Sequence, residues 1–227
     1  MDLVYVYKRQ GDGRELRYSL RSACQNLDFD RVHIVGDCPS FVRRVNRIPY
    51  TPQPAENRYD NSFGKTLRAA RSKDVSEDFI LMNDDFFILK PFQTIPYLFM
   101  QQIGRWVEAY PHRGEYYEKA RRTLALTRPR AKVFEVHFPF VYNSSRLLAL
   151  VERYNLPCGI MPRTLYAHEY SIQGVRSRDY KARTVAEIAE FSTKPFMSTT
   201  NNVALTREFA ATLERQFPEP CRFERAA

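Results

Sequence analysis

Hydrophobic and polar residues alternate over the first 92 positions in a way that predicts strands and helices in turn. Short apolar runs end at polar or glycine-containing turns, and amphipathic stretches with apolar residues three and four positions apart lie between them. The pattern predicts strands at residues 2–7, 31–35, 46–50 and 79–82, and helices at residues 15–26 and 62–72. Alternation of this kind is typical of an α/β fold with a mostly parallel central sheet flanked by helices.

The regular alternation ends after residue 92. The pattern beyond it predicts helices at residues 94–110, 114–127, 144–154 and 207–216, a strand at residues 133–140, and a loop through Pro157 and Pro162. No internal repeat and no low-complexity linker is present in the sequence. We therefore expect a single domain over residues 1–227, with an α/β half at 1–92 and a mainly helical half at 93–227.

Polar residues cluster where the predicted strands of the α/β half end. The clusters lie at residues 8–13, at Asp37, at residues 59–62 and at residues 83–85. Ligands of open α/β sheets bind beyond the carboxyl ends of the strands, so we expect the clusters to line one site. Three candidate substrate-binding residues in this region are Asp37, Asn83 and Lys65 of the predicted basic helix.

Asp84 and Asp85 are adjacent carboxylates between two apolar runs, in the segment FILMNDDFFILKPF at residues 79–92. The pattern places them at a strand end or bulge, where a buried carboxylate needs water, a hydrogen bond or a cation. Mg²⁺ and Mn²⁺ bind one or two protein carboxylates and complete their coordination with diphosphate oxygens and water. The pair is thus a candidate metal site, at which the ion would stabilise a leaving phosphate. The alternative is a turn whose aspartates cap nearby amides.

Arg17 and Arg21 lie on one face of the predicted helix at residues 15–26, close to its start. Guanidinium groups bind phosphate bidentately, and the free amides at the start of a helix favour anions. This face is a candidate for binding a nucleotide diphosphate. The alternative is a basic face in contact with solvent.

Two histidines and two asparagines are further candidates. His137 lies in the predicted strand at residues 133–140, where it is either a core residue or a general base that faces a cleft. His168 lies in a polar and aromatic loop, LYAHEYS, and has the same two interpretations. Asn201 and Asn202 are either turn residues or polar contacts to a substrate.

Composition and charge narrow the classes of partner. Lys and Arg outnumber Asp and Glu by 35 to 26, and the net charge of +9 favours anionic partners such as nucleotides, phosphorylated sugars, nucleic acid and acidic glycans. No run of about 18 apolar residues is present to span a bilayer, and the N-terminus lacks the features of a signal peptide. We therefore expect a cytoplasmic protein without a membrane span. The four cysteines have neither zinc-site nor disulfide spacing, so we expect reduced thiols.

The sequence motifs of several common enzyme classes are absent. The chain contains no GxGxxG, GxxxxGK[ST], HExxH or GxSxG, which excludes the usual dinucleotide, P-loop, zincin and hydrolase signatures. Basic runs at residues 43–47, 119–122 and 128–132, with Tyr116 and Tyr117 nearby, use the residue types of nucleic-acid grooves. They match no named nucleic-acid motif.

Four parts of the chain, in order, resemble the sequence blocks of the Stealth family of capsular-polysaccharide and related sugar-phosphate transferases. The first block resembles DLVYVYKRQGDG. The second is similar to ELRYSLRSACQNLDFDRVHIVGDCPSF, and it continues through YDNSFG to FILMNDDFFILKPF. The third is similar to VHFPFVYNSSRLLALVERY, and the fourth resembles the stretch from FMSTTNNVALTREF to QFPEPCRFE. The resemblance extends over most of the chain.

The resemblance implies a GT-A-like, nucleotide-sugar-dependent transferase that uses Mn²⁺ or Mg²⁺. Asp84 and Asp85 would be the metal-binding and catalytic carboxylates, and residues 1–92 would bind the nucleotide sugar while 93–227 bind the acceptor. The remaining implied roles are donor-phosphate contacts for Arg17 and Arg21, donor-pocket positions for Asn61 and Ser62, and a base or phosphate ligand at His137.

We expect transfer of a glycosyl or sugar-1-phosphate group from a nucleotide sugar, UDP-linked, to a hydroxyl of a glycan or of hydroxylated nucleic acid. Two departures from the family blocks leave the transferred group open. Tyr7-Lys8-Arg9 stands where the first block has Trp-Val-Asp, and Asn201-Asn202 stands where the fourth has Asn-Asp. The alternative function is a non-catalytic basic module that binds nucleic acid or acidic glycan on a transferase-like fold.

Overall fold

The computed structural model describes residues 1–9, 11–52, 57–109, 114–156 and 159–225. Within these residues the strands are β1 (Asp2–Tyr7), β2 (Val32–Gly36), β3 (Asn46–Ile48), β4 (Asp78–Asn83), β5 (Phe86–Ile88), β6 (Leu98–Phe99), β7 (Phe140–Asn143), β8 (Val175–Arg176), β9 (Lys181–Ala182) and β10 (Phe196–Thr199). The helices are α1 (Arg14–Asn26), α2 (Arg58–Ala70), α3 (Ile103–Ala109), α4 (Gly114–Leu126), α5 (Ser144–Tyr154), α6 (Pro162–Glu169), α7 (Val185–Phe191), α8 (Asn201–Ala204) and α9 (Arg207–Gln216).

A five-stranded sheet with the order β3-β2-β1-β4-β7 forms the centre of the fold. β1 pairs in parallel with β2 and β4, β2 pairs in parallel with β3, and β7 runs antiparallel to β4. Every residue of β1 is buried, as expected of a parallel strand that is covered on both faces. The prediction of a mostly parallel central sheet flanked by helices is confirmed.

Two hydrophobic cores lie on the two faces of this sheet. On one face, Leu3 and Tyr5 of β1 belong to the same core as Leu16 and Leu20 of α1. On the other face, Val4 of β1 belongs to a core that includes residues of α2, α5 and α6. Because successive side chains of a strand point to opposite faces, β1 contributes alternate residues to the two cores.

A smaller sheet with the order β5-β10-β9 lies against α1. Within α1, Ser19 Oγ donates to the carbonyl oxygen of Phe86 at 2.5 Å, and Asn26 Nδ2 donates to that of Ile88 at 2.7 Å. β4 belongs to the central sheet and β5 to the smaller one, so the turn at Asp84 and Asp85 connects the two sheets.

The predicted helix at residues 94–110 is wrong in its first half. β6 pairs in parallel with β8 there, and α3 begins only at Ile103. Pro96 is the physical reason, because a proline pushes the residue before it away from helical backbone angles. Tyr110, at the end of the predicted helix, lies outside the described residues.

The predicted strand at residues 133–140 is wrong for most of its length. Phe140 alone of these residues belongs to a strand, β7, which continues to Asn143. The earlier apolar side chains are buried, but the backbone amide of Val133 donates to the Gln101 carbonyl at 2.8 Å and that of Phe134 to Thr164 Oγ1 at 3.0 Å. Residues 133–139 are therefore irregular chain with buried apolar side chains and do not belong to a sheet.

Residues 162–169 form α6 where a loop was predicted. Pro162 occupies the first turn of this helix, where its missing amide proton costs no hydrogen bond and its fixed φ suits the helix. His168 therefore lies in the last turn of a helix rather than in a loop. Pro157 lies outside the described residues.

Cys24, Cys38 and Cys221 are free thiols, and Cys158 falls in a part of the chain that the structure does not describe. Across residues 1–9, 11–52, 57–109, 114–156 and 159–225, no helix combines the length and the apolar character needed to cross a membrane.

Candidate active site

A cavity of about 870 Å³ opens where β1 and β4 end. It is bordered by the start of α1, the first half of α2, the turn after β4 and residues of the second half of the chain. The chain leaves β1 towards β2 on one side and returns to β4 on the other, so this is the switch point at which open α/β sheets bind ligands. The strand topology makes this cavity a candidate ligand site.

Asp84 and Asp85 line this cavity in the turn between β4 and β5. Asp85 Oδ2 accepts hydrogen bonds from Ser198 Oγ at 2.7 Å and from Lys181 Nζ at 3.2 Å. Burial, reinforced by the negative charge of Asp85, raises the pKa of Asp84 to about 7. One carboxylate is therefore compensated by a lysine, and the other is poorly compensated.

Glu15 adds a third carboxyl group to the same part of the cavity. It lies in the first turn of α1, directly after a turn in which Gly13 has a φ of 74°, a left-handed value that favours glycine. Its Oε1 accepts a hydrogen bond from Thr199 Oγ1 at 3.1 Å. Burial, together with the charges of Asp84 and Asp85, raises the pKa of Glu15 to about 8. Three carboxyl groups, those of Glu15, Asp84 and Asp85, thus lie close together in this part of the cavity, and Lys181 donates a hydrogen bond to one of them.

The donor set fits a hard divalent cation bound by two carboxylates. Among the described residues, no group of three or more His, Cys, Asp or Glu side chains is arranged to hold one ion. Asp84 and Asp85 would therefore supply two ligands at most, which matches the number that Mg²⁺ or Mn²⁺ takes when phosphate oxygens and water complete its coordination. The raised pKa of Asp84 is the kind of electrostatic cost that a bound cation relieves.

His137 also lines the cavity and forms a pair with Asp179. Its Nδ1 lies 3.0 Å from Asp179 Oδ1, and Asp179 Oδ2 accepts a hydrogen bond from Arg183 Nη2 at 2.9 Å. Burial acts to raise the pKa of Asp179, but the hydrogen bonds and charge of His137, with Arg183, outweigh it and lower the pKa to about 2. The ionised Asp179 can only accept, so the neutral imidazole of His137 has its proton on Nδ1 and its acceptor at Nε2.

Aromatic and basic side chains line another part of the cavity. The rings of Trp106 and Tyr116 are 5.5 Å apart, and those of Tyr59 and Tyr116 are 5.6 Å apart. Arg58 lies 4.6 Å from the Tyr59 ring, measured to the ring centroid. Lys119 lies 4.8 Å from the same centroid. An aromatic wall with cations is suited to a flat, polar organic ligand.

The structure brings six of the predicted site residues to this cavity. They are Ser62, Asn83, Asp84, Asp85, His137 and Asn201. The other seven predicted site residues are not among the described residues that line the cavity. They are Arg17, Arg21, Asp37, Asn61, Lys65, His168 and Asn202.

Arg17 and Arg21 bind the C-terminal segment and not the cavity. Arg21 Nε donates to Glu224 Oε1 at 2.7 Å and Arg17 Nη1 to Glu224 Oε2 at 2.9 Å. The Glu224 side chain is 0% exposed, so the buried carboxylate needs these cations. The predicted basic face is real, but its partner lies within the chain.

Three more predicted residues have other surroundings. Asp37 Oδ2 accepts a hydrogen bond from the backbone amide of Arg9 at 2.8 Å. Lys65 is buried and donates to the Tyr7 carbonyl at 2.7 Å, and its charge acts to lower the pKa of the nearby Asp84. His168 lines a separate groove.

Among the cavity residues that sequence reasoning missed are Glu15, Trp106, Asp179, Lys181 and Arg183. Glu15 could have been predicted as a site residue from the sequence, because it lies two positions after the polar turn that follows β1. Asp179, Lys181 and Arg183 lie in a polar stretch that has neither a motif nor a clear period. Only their spatial neighbours identify them.

Comparison with solved structures supports the fold, whereas the other two comparisons gave no match. No family model and no curated protein matches this chain. An active-site mutant of LgtC has a similar structure, with a TM-score of 0.53 and 10% sequence identity over 98% of both chains. A second LgtC structure, described as a galactosyltransferase in complex with donor and acceptor sugar analogs, has a TM-score of 0.49 and 10% identity over 95% of this chain and 96% of that one.

The glycosyltransferase GlyE of Streptococcus pneumoniae TIGR4 has a TM-score of 0.40 and 9% identity over 97% of this chain and 65% of that one. Scores below 0.5 carry no weight here, so the fold assignment rests on the first LgtC structure. At 10% identity that similarity concerns the fold alone. The chain has a mixed α/β, GT-A-like fold with a mostly parallel central sheet flanked by helices.

Proposed function

We propose that the protein is a nucleotide-sugar-dependent transferase that uses Mn²⁺ or Mg²⁺. It would move a glycosyl or sugar-1-phosphate group from a UDP-linked donor to a hydroxyl of the acceptor. The observation that carries the proposal is the acidic turn at Asp84 and Asp85, which lines a large cavity at the switch point of a GT-A-like sheet. The resemblance of four sequence segments to the Stealth blocks supports the same reaction class.

In this proposal Asp84 and Asp85 hold the divalent cation and Lys181 assists at the donor phosphates. The bound ion supplies the positive charge that stabilises a departing phosphate. Lys181 Nζ, 3.2 Å from Asp85 Oδ2, is a second positive charge at the same place. Arg183 lines the cavity beside them and adds a further positive charge.

His137 is the proposed general base. Asp179 holds the proton on Nδ1, so Nε2 can accept the proton of the acceptor hydroxyl as its oxygen forms the new bond. The released nucleotide carries away the bonding electrons of the bond that breaks. If the bond to the anomeric carbon breaks, the product is a nucleoside diphosphate. If the bond within the diphosphate breaks, the product is a nucleoside monophosphate.

The aromatic wall is the proposed acceptor-side subsite. Trp106, Tyr116 and Tyr59 offer flat apolar surfaces on which a sugar ring can pack. Arg58 beside them is exposed and suits an acceptor with negative charge, whereas Lys119 is buried and paired with Asp60 at 2.7 Å. This agrees with the excess of basic residues over the whole chain.

The first prediction tests the acidic turn directly. The double variant Asp84→Asn/Asp85→Asn should lose donor turnover by about a hundredfold or more, because removal of a metal's charged ligands removes the stabilisation of the leaving phosphate. The assay measures nucleotide release from a panel of nucleotide sugars with Mn²⁺ present, and thermal shifts with Mn²⁺ alone report binding of the ion. Release of monophosphate or of diphosphate identifies the transferred group.

The matched control is Asp28→Asn/Asp74→Asn, which changes two exposed aspartates by the same charge. It should turn over donor like the unmodified protein. Equal turnover by both double variants would exclude the proposed role of the acidic turn. If no donor is turned over by the unmodified protein while polyanions bind, the protein is a non-catalytic binding module on this fold.

A further inference from the structure

A second groove of about 500 Å³ lies outside the cavity and is strongly basic. Its described lining includes four basic side chains, those of Arg128, Arg130, Lys132 and His168. We call the surface formed by these four residues the basic groove. Residues 128–132 are the turn that joins α4 to the buried segment at 133–139, and His168 is in the last turn of α6.

The charges of the basic groove are available to a ligand. Arg128 and Arg130 are exposed, and their guanidinium groups form no hydrogen bond or ion pair with any side chain or carbonyl in the described part of the chain. Lys132 Nζ lies 4.5 Å from the centroid of the Phe99 ring. The single carboxylate among the described residues that line the groove, Glu169, is already bonded to Arg153 and to Tyr154, whose hydroxyl is 2.8 Å away.

The basic groove and the cavity share two structural elements. α6 has Arg163 at the cavity and His168 at the groove, five residues apart, which corresponds to about 7.5 Å along a helix axis. Residues 132–135 also border both places, with Glu135 at the cavity and Lys132 at the groove. Five residues correspond to about 140° around a helix, so Arg163 and His168 lie on different sides of α6, and the groove is a surface separate from the cavity.

We propose that the basic groove binds an acidic glycan, at a surface separate from the cavity. The inference rests on the proposed transferase function, which is the reason to expect a glycan as the ligand. Unpaired guanidinium groups bind carboxylates and phosphates bidentately, which suits a chain with repeated negative charges. Among the described residues that line the groove, Phe134 is the only Phe, Tyr or Trp, and it is 3% exposed, so these residues offer no exposed ring of those types on which a nucleic-acid base could stack.

The test measures binding of a sialic-acid octamer to the full-length protein. Arg128→Gln/Arg130→Gln should weaken binding about fivefold to tenfold, since each exposed charge contact contributes modestly. Binding should also weaken with added salt, and a neutral malto-octaose should not bind. The matched control, Arg207→Gln/Arg215→Gln, removes the same charge from exposed positions of α9 and should bind the octamer unchanged.

Three results would overturn the inference. They are equal octamer binding by Arg128→Gln/Arg130→Gln and its control, equal binding of malto-octaose, and tighter binding of an eight-residue oligothymidylate than of the octamer. The acidic-turn variant Asp84→Asn/Asp85→Asn should bind the octamer normally, and the groove variant should still hydrolyse donor without acceptor. Octamer binding can be absent while donor hydrolysis is normal, and the reverse can also occur. A wrong assignment of the groove ligand is therefore distinguishable from a wrong assignment of the transferase function.

Discussion

At the scale of single residues, the cavity keeps carboxyl groups where their charge is costly. Glu15 has a pKa of about 8, and Asp84 has a pKa of about 7, because burial and mutual repulsion disfavour their ionised forms. Such a cost is typical of sites that are shaped for a charged ligand. It also makes the stability of the protein depend on pH in a direction that can be derived.

Glu15→Gln should stabilise the protein at high pH in the absence of divalent ions. The folded state raises the pKa of Glu15 from 4.5 to about 8, so it binds the proton more tightly than the unfolded state does. The free energy of unfolding is then lost as pH rises from about 4.5 to 8, and the neutral glutamine avoids this loss. The variant should exceed the unmodified protein by roughly 4–5 kcal/mol at pH 9, because the pKa rises by about 3.5 on folding, and by less than about 1 kcal/mol at pH 5.

Denaturant unfolding at the two pH values measures this difference. The exposed Glu214→Gln is the matched control, for which no such pH dependence is expected. A Glu15→Gln protein that is less stable than the unmodified protein at pH 9 would show that the carboxylate is well compensated in the folded state.

At the scale of elements, α1 is held against the C-terminal segment by a buried ion-pair cluster. Arg21 donates to Glu224 and also, through Nη1, to the carbonyl oxygens of Phe217 and Pro218, each at 2.9 Å. Arg17 adds a second cation and lies 4.0 Å from the Phe41 ring centroid. Two arginines four positions apart thus fix the path of the chain after α9.

Glu224→Gln should destabilise the protein by about 2–3 kcal/mol. The change leaves two guanidinium groups beside a neutral side chain, and the loss of one partner of a buried pair is costly because the other charge stays desolvated. Denaturant unfolding measures the loss. The exposed Glu219→Gln should stay within about 0.5 kcal/mol of the unmodified protein, and an equally small effect of Glu224→Gln would refute the structural role of the cluster.

At the scale of the whole molecule, the cavity depends on both halves of the chain. Its lining extends from Glu15 to Asn201, and Trp106, the single tryptophan of the sequence, is part of it. β10, from the second half, pairs with β5, from the first. The two halves therefore form one cooperative structure in our interpretation.

Thermal unfolding should show one transition. Trp106 fluorescence reports on the cavity and far-ultraviolet circular dichroism on all helices, so the two curves should coincide if residues 1–92 and 93–227 unfold together. The comparison of midpoints at one heating rate tests this. Two separated transitions would instead divide the chain into independent units.

The sequence alone determined the features that depend on local order. The bounds of β1, α5 and α9 were predicted to the residue, because apolar periodicity and turn residues act over a few positions. The position of Asp84 and Asp85 at a strand end was readable for the same reason.

Only the tertiary structure decided which charges meet. Glu224, and not a ligand, pairs with Arg17 and Arg21. Lys181 reaches Asp85 across 96 residues of sequence, and Asp179 reaches His137 across 42. A hydrophobic pattern specifies which face of an element is buried, but contacts between distant side chains depend on the path of the chain between them, which no local period encodes.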